Sequence, residues 1–175
     1  MKTYCICLIF LFAAFGCAGK GKSPSEISKS TDEIIYQLDV NRDGKIDCLW
    51  AQNVKDKNTP STLWRKDDLN FDGKFDIEQF YTDGKLTLEK MDLDFDQVFD
   101  LVNSYENGLL SKAEFSLSPT GKTDMWLYYK EGKLIKKEVD RRHTGKPDYF
   151  EFYKDSKLER IGRDLDGDGI IDIWE

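Results

Sequence analysis

The chain has 175 residues, with 26 Lys and Arg against 33 Asp and Glu, a formal net charge of -7, 39% hydrophobic residues and 13% aromatics. Its apolar fraction excludes a disordered chain and suffices for one domain with a core. The acidic balance speaks against nucleic acid, whose phosphates need clustered Lys and Arg, and makes divalent cations the expected electrostatic partners.

Lys2 precedes an apolar run from Tyr4 to Phe15, too short for a permanent bilayer span and suited to a signal peptide over residues 1–16. Ala14 and Gly16 precede Cys17. The stretch resembles the lipobox of bacterial lipoproteins, with Ala14 where that family usually has Leu and Phe15 where it has a smaller residue. The resemblance implies lipidation of Cys17 and attachment to a membrane through the lipid. With no Asp at position 18, it also implies an outer-membrane place in the bacterial envelope, periplasmic or surface-exposed. Ala14-x-Gly16 also suits ordinary signal peptidase, which would give plain secretion, and an uncleaved anchor is a third alternative. Cys5 and Cys7 leave with the signal, so Cys48 is left without a disulfide partner and bound metal is the candidate staple.

Residues 17–33, including "AGKGKSPSEISKS", are poor in apolar residues and rich in Ser, Gly and Lys, the composition of a flexible tether. From Ile34 to Glu175 the sequence repeats. The last aspartate of each unit is Asp47, Asp76, Asp100, Asp124, Asp148 and Asp172, a step of 29 and then four of 24, the extra length lying in the polar "NVKDKNTPST". The glycine position reads Gly44, Gly73, Gln97, Gly121, Gly145 and Gly169, and a leucine recurs as Leu86, Leu110, Leu134 and Leu158.

Between these positions sit "TDGK", "ENGL", "KEGK" and "KDSK", three of which place Gly after Asp, Asn or Glu as tight hairpin turns require. The prediction is an all-β domain of antiparallel hairpin repeats of about 24 residues. These form an extended twisted sheet, or a closed ring in which "EIIYQLD" and the final "DIWE" complete one unit. In the first strand of each unit, Leu49, Glu78, Val102, Trp126, Phe150 and Trp174, with Ala51, Phe80, Ser104, Tyr128 and Phe152, are expected to form the core face. Tyr81, Tyr105, Tyr129 and Tyr153 line the other face, near Gln79, Asn103 and Glu151, where they pack on the next hairpin or stack on glycan rings. The more charged second strands are expected at the solvent side, and Cys48 in the core.

The units are joined by acidic loops. The first offers Asp39, Asn41, Asp43 and Asp47, and the second Asp68, Asn70, Asp72 and Asp76. The third offers Asp92, Asp94, Asp96 and Asp100, with Gln97 in the glycine position, and the last Asp164, Asp166, Asp168 and Asp172. Alternate residues of a tight loop turn their carboxylates inward, and the position-7 carbonyl, here of Lys45, Lys74, Val98 or Ile170, completes an oxygen shell for Ca2+. Two units have lost the pattern: Ser116, Ser118 and Thr120 in one, Asp140, Arg142 and Thr144 in the other. Glu175 falls at loop position 12 by spacing alone, since the equivalent residues elsewhere include Trp50 and Leu127.

These loops resemble the DxDxDGxxD calcium loops of FG-GAP and related repeats of secreted and adhesive proteins, and the hairpins resemble the YD-type repeats of bacterial surface proteins. The resemblance implies a calcium-stabilised β architecture outside the cytoplasm. The competing reading is that each aspartate only caps backbone amides in an Asx turn.

No histidine pair, phosphate-cradling glycine loop or nucleophile elbow is present, and His143, the only histidine, reads as a surface residue. The expected function is a non-catalytic, calcium-binding envelope lipoprotein, a repeat scaffold for a protein or glycan ligand. The alternatives are a structural spacer with no ligand beyond calcium, and a hydrolase using carboxylates outside the loops.

Overall fold

The computed structural model describes residues 23–55, 59–118 and 121–175, so the signal segment and Cys17 lie outside the described residues. The strands, in chain order, are β1 (Ser25–Lys29), β2 (Glu33–Leu38), β3 (Cys48–Asn53), β4 (Ser61–Asp67), β5 (Ile77–Thr82), β6 (Lys85–Met91), β7 (Leu101–Glu106), β8 (Leu109–Phe115), β9 (Met125–Lys130), β10 (Lys133–Val139), β11 (Tyr149–Lys154), β12 (Lys157–Arg163) and β13 (Ile173–Trp174). They form one antiparallel sheet in strict chain order from β1 to β13. The all-β hairpin architecture is as expected, and the sheet is open.

Four hairpins turn on two residues that are both left-handed: Asp83 and Gly84 (φ 50° and 71°), Asn107 and Gly108 (54° and 82°), Glu131 and Gly132 (51° and 74°), Asp155 and Ser156 (49° and 62°). Two positive φ values define the turn whose twist matches that of the flanking strands. Every hairpin from β3/β4 to β11/β12 also carries a register shift near the turn, as between Phe80 and Tyr81, where Thr87 is the extra residue. Thr87 and Ser111 use the bulge to donate their hydroxyls to the carbonyls of Phe80 and Ser104, both at 3.0 Å. The pairings between successive hairpins, such as β4/β5 and β6/β7, run without a shift. A bulge in each unit adds twist, which accumulates along the sheet. The recurring leucine lies just past the bulge, opposite the ladder tyrosine: Leu86 against Tyr81, Leu110 against Tyr105, Leu134 against Tyr129 and Leu158 against Tyr153.

Three expectations need correction. The ring does not close: the free side of β2 is taken by β1, formed by Ser25–Lys29 from within the segment read as a tether, and β13 pairs with β12 alone. Among the described residues there is also no enclosed apolar core, because the sheet is a single layer. Among the described residues the buried apolar side chains are Ala51, Ala113 and Phe150, and Cys48 is only half-buried. Finally, the charged second strands do not simply face solvent; their lysines lie between the aromatics of the first strands.

On the face expected to be core, Lys90 sits over the rings of Phe80 and Phe99 (6.0 and 5.4 Å), Lys136 over Tyr128 (4.1 Å), and Arg160 over Phe152 and Trp174 (5.8 and 4.8 Å). Acidic neighbours pair two of these cations, Lys90 to Glu78 at 3.8 Å and Lys136 to Glu138 at 2.9 Å. Long cationic side chains cover aromatic surface with their stems while the charged heads stay wet. Such cover substitutes for the second layer that a sandwich would supply.

The opposite face carries a polar network centred on buried Glu89. The Gln79 amide donates to its Oε1 at 2.7 Å, and the Asn103 amide and the Tyr105 hydroxyl donate to its Oε2 at 3.1 Å, while the Tyr81 hydroxyl donates to Gln79 Oε1 at 3.0 Å. Tyr153 similarly donates to Glu151. Burial, with the Glu89 carboxylate beside it, pushes the Tyr105 phenol up. These ladder hydroxyls are occupied within the sheet, as packing between neighbouring hairpins requires.

Candidate metal centre

Because every hairpin reverses at one margin of the sheet, the loops linking successive hairpins gather at the other. There they form a row, about 9.5 Å apart, the width of two strands. A backbone relay joins them. The last aspartate of one loop accepts from the first amide of the next: Asp68 N to Asp47 O (2.7 Å), Asp92 N to Asp76 O (2.8 Å), Ser116 N to Asp100 O (2.7 Å), Asp140 N to Asp124 O (2.8 Å) and Asp164 N to Asp148 O (3.1 Å). This relay buries the aspartates at its junctions: Asp47, Asp68, Asp76, Asp92, Asp124, Asp140, Asp148 and Asp164. Among the described residues the largest fully buried side chain is therefore a carboxylate, that of Asp47, rather than a hydrocarbon.

Within a loop each aspartate has a fixed task. The first accepts from the amides of positions 4 and 6, as Asp68 does from Phe71 and Gly73 at 2.7 Å each. The side chains at positions 3 and 5 each accept from the amide two residues on, as Asn41 from Asp43 (2.9 Å) and Asp43 from Lys45 (2.8 Å). The ninth reaches back with Oδ2 to the start of the loop, as Asp47 does to Val40 N (2.5 Å) and Asn41 N (3.1 Å). Equivalent bonds recur in the second, third and last loops. These are the amide-capping turns of the competing reading, and they fix where the carboxylates point.

The convergence they produce is specific. Carboxylate oxygens of Asp92, Asp94 and Asp100 lie within 4.8 Å of one another, as do those of Asp164, Asp166 and Asp172. Three carboxylates at that separation can hold a metal ion. In the first and second loops, Asn41 and Asn70 at position 3 leave fewer acids together, but Asp47 supplies another sign: its Oδ1 is buried with no hydrogen-bond donor. A buried carboxylate oxygen without a partner is costly, and a cation relieves it. In the third loop, desolvation and the neighbouring Asp96, Asp100 and Asp92 carboxylates raise the Asp94 carboxyl above its usual range, against the amide of Asp96.

The left-handed backbone at position 6 was legible from its glycines, and Gln97 adopts the same conformation (φ 79°). Position 4 is left-handed as well, at Arg42, Phe71, Phe95, His143 and Gly167, and no repeated residue type marked it. Exposed His143 is one of these turn residues. Two further positions were missed. Position 7, expected only to offer a carbonyl, reaches sideways: Lys45 Nζ donates to Asp72 O in the next loop (2.7 Å), and Lys146 Nζ to Asp168 O (3.2 Å). Position 8 tucks under the sheet, Phe75 and Phe99 beneath Lys66 and Lys90, and Ile171 against Gly162. The apolar residue just before the final aspartate of each acidic loop, Ile46, Phe75, Phe99 and Ile171, was the available signal. Ser116 and Asp124 bound the fourth loop, whose Thr120 lies outside the described residues.

No family and no curated protein matches this chain. Among solved structures, a complex of accessory secretory proteins 1, 2 and 3 of Streptococcus pneumoniae is 18% identical with a TM-score of 0.34, covering 69% of this chain and 19% of that one. A mutant of S. aureus TarM, in complex with fondaparinux, alpha-GlcNAc-glycerol and UDP, is 13% identical with a TM-score of 0.33, covering 78% and 21%. The chain thus spans about a fifth of the chains it matches, and likeness at that level carries no functional argument.

Proposed function

We propose that the protein is a non-catalytic, lipid-anchored scaffold of the bacterial envelope whose acidic loops bind Ca2+ and hold a single-layer sheet rigid for a protein or glycan ligand. The observation that carries this reading is the placement of the carboxylates. They converge at Asp92, Asp94 and Asp100 and at Asp164, Asp166 and Asp172, on the margin where successive hairpins must be held in register. A hard dication with flexible coordination suits oxygen-only loops of this size, and Lys45, Lys74, Val98 and Ile170 would add their carbonyls. A single-layer sheet has little apolar burial to stabilise it, so ion binding at the loops contributes where a core would otherwise act. The anchor and envelope location are supported by the residues preceding Cys17, and the ligand surface by the aromatic and cationic face of the sheet.

Calorimetric titration of the purified, chelator-treated protein with Ca2+ and with Mg2+ tests the reading, followed by thermal melts in each. Ca2+ uptake of at least one ion per chain with a raised melting temperature is expected. A melt unchanged between excess Ca2+ and EDTA, with no uptake, refutes it.

A further inference from the structure

We propose that Arg142 is a tethered cation: in the loop of residues 140–148 its guanidinium takes the place that a metal ion takes in the acidic loops, and it fastens that loop to the next. The comparison with a metal rests on the calcium reading, whereas the neutralisation of Asp148 stands on the geometry alone.

In the acidic loops position 3 is Asn41, Asn70, Asp94 or Asp166; in this loop it is Arg142. The buried final aspartate of the loop, Asp148, has a side chain only 4% exposed. Arg142 Nε donates to its Oδ2 at 2.8 Å, and Arg141 Nε to its Oδ1 at 3.0 Å, so both oxygens face a guanidinium. Asp140 at position 1 keeps the position-6 amide of its counterparts, accepting from Gly145 N (2.6 Å), and takes Thr144 N (3.1 Å) at position 5 in place of the position-4 amide. The loop thus retains the shape of a metal loop and carries its own counter-charge, Asp140 and Asp148 against Arg141 and Arg142.

The rest of the Arg142 fork is used in the following loop. Nη2 donates to Asp164 O and Nη1 to Leu165 O, both at 3.1 Å, and Nη2 lies 3.8 Å from Asp164 Oδ1. A side chain at Gly167 would begin 3.7 Å from Nη2, so the guanidinium lies directly on that loop's turn. A single planar cation therefore bridges Asp148 and Asp164, the last ligand position of one loop and the first of the next. Lysine, a point charge without the fork, cannot make these contacts together. The fifth and sixth loops are consequently fastened to each other by a guanidinium, with no ion required.

Thermal melts in EDTA and ion counting decide the matter. In EDTA, R142A is expected to melt about 5 °C or more below wild type, because Asp148 loses a partner while buried, and R142K to fall between the two. R142D, which restores an acidic position 3, is expected to bind one more Ca2+ per chain than wild type, a gain that a merely structural arginine would not produce. If R142A does not fold, R142K in EDTA and R142D with Ca2+ carry the test. A wild-type melt for R142A and R142K in EDTA, or no added ion in R142D, overturns the assignment. Wild type binding no ion while R142D binds one removes the calcium reading and leaves Arg142 in its role; wild type binding ions while R142D adds none does the reverse.

Discussion

Asp47→Asn separates the two duties of a loop carboxylate. Asp47 is 1% exposed; its Oδ2 accepts from two amides, and its Oδ1 has no donor. Asparagine keeps the shape and one acceptor oxygen, so the amide-capping duty survives in weakened form while the charge is lost. Without metal the substitution removes a buried, uncompensated charge, and the lost charge-assistance of two hydrogen bonds offsets that gain, so the net effect is small, within about 1 kcal/mol. With metal the variant loses a carboxylate ligand. A site with a dissociation constant of about 0.1 to 1 mM contributes about 0.6 to 1.8 kcal/mol at about 2 mM Ca2+. For a chain of this length that corresponds to a melting shift of about 1 to 7 °C. The assay is a pair of thermal melts, in EDTA and in Ca2+, for wild type and D47N: the variants should nearly coincide in EDTA and separate in Ca2+. An equal loss under both conditions would mean that Asp47 only caps amides, and the loop would not be a metal site.

Further outcomes follow from the same geometry. Ser156 holds φ 62° at the turn position where the other three two-residue turns have glycine, so S156G should raise stability by about 1 kcal/mol, visible as a higher urea midpoint at unchanged slope. Burial and the Asp67 carboxylate beside it push the Cys48 thiol from 9.0 up to about 12, so its thiolate fraction at pH 8 falls about a thousandfold. Alkylation by iodoacetamide should therefore be slow until denaturant is added, and labelling as fast as in the unfolded chain would contradict the packing of β3 on β4. Burial opposes ionisation of Asp140 and Asp164, but amide donation by Thr144 and Gly145, and by Gly167 and Gly169 with Arg142 nearby, prevails and holds both carboxyls below 3.8. Because these folded values lie below the unfolded one, the stability they contribute is complete above about pH 3.8 and is lost as pH falls through the folded values. Asp94 has the opposite sign, so D94N should melt higher than wild type in EDTA at pH 7 and gain less from Ca2+. Tryptophan fluorescence melts in metal-free buffer from pH 7 down to pH 2.5, with EDTA and Ca2+ arms for D94N at pH 7, would check both.

Much of the architecture was legible because it is local. The 24-residue step, the turn glycines and the alternation of side chains specify hairpins without reference to distant residues, and strands joined by short turns pair with their sequence neighbours. The loop aspartates were legible for the same reason, since their bonds span at most seven residues. What escaped were contacts between units. Lys45 and Lys146 straddle two loops, the rows of lysine over aromatic rings join residues from three strands, and Arg142 in a loop that looked eroded meets an aspartate 22 residues away.

The sequence by itself determined the hairpins, their period and the acidic bends, because backbone preference and side-chain alternation act over a few residues. Only the tertiary structure decided that the sheet stays a single open layer and that most of its buried side chains are carboxylates. That outcome depends on how neighbouring units pack: cationic stems cover the aromatic face, β1 rather than β13 pairs with β2, and the backbone relay draws the loop aspartates out of water.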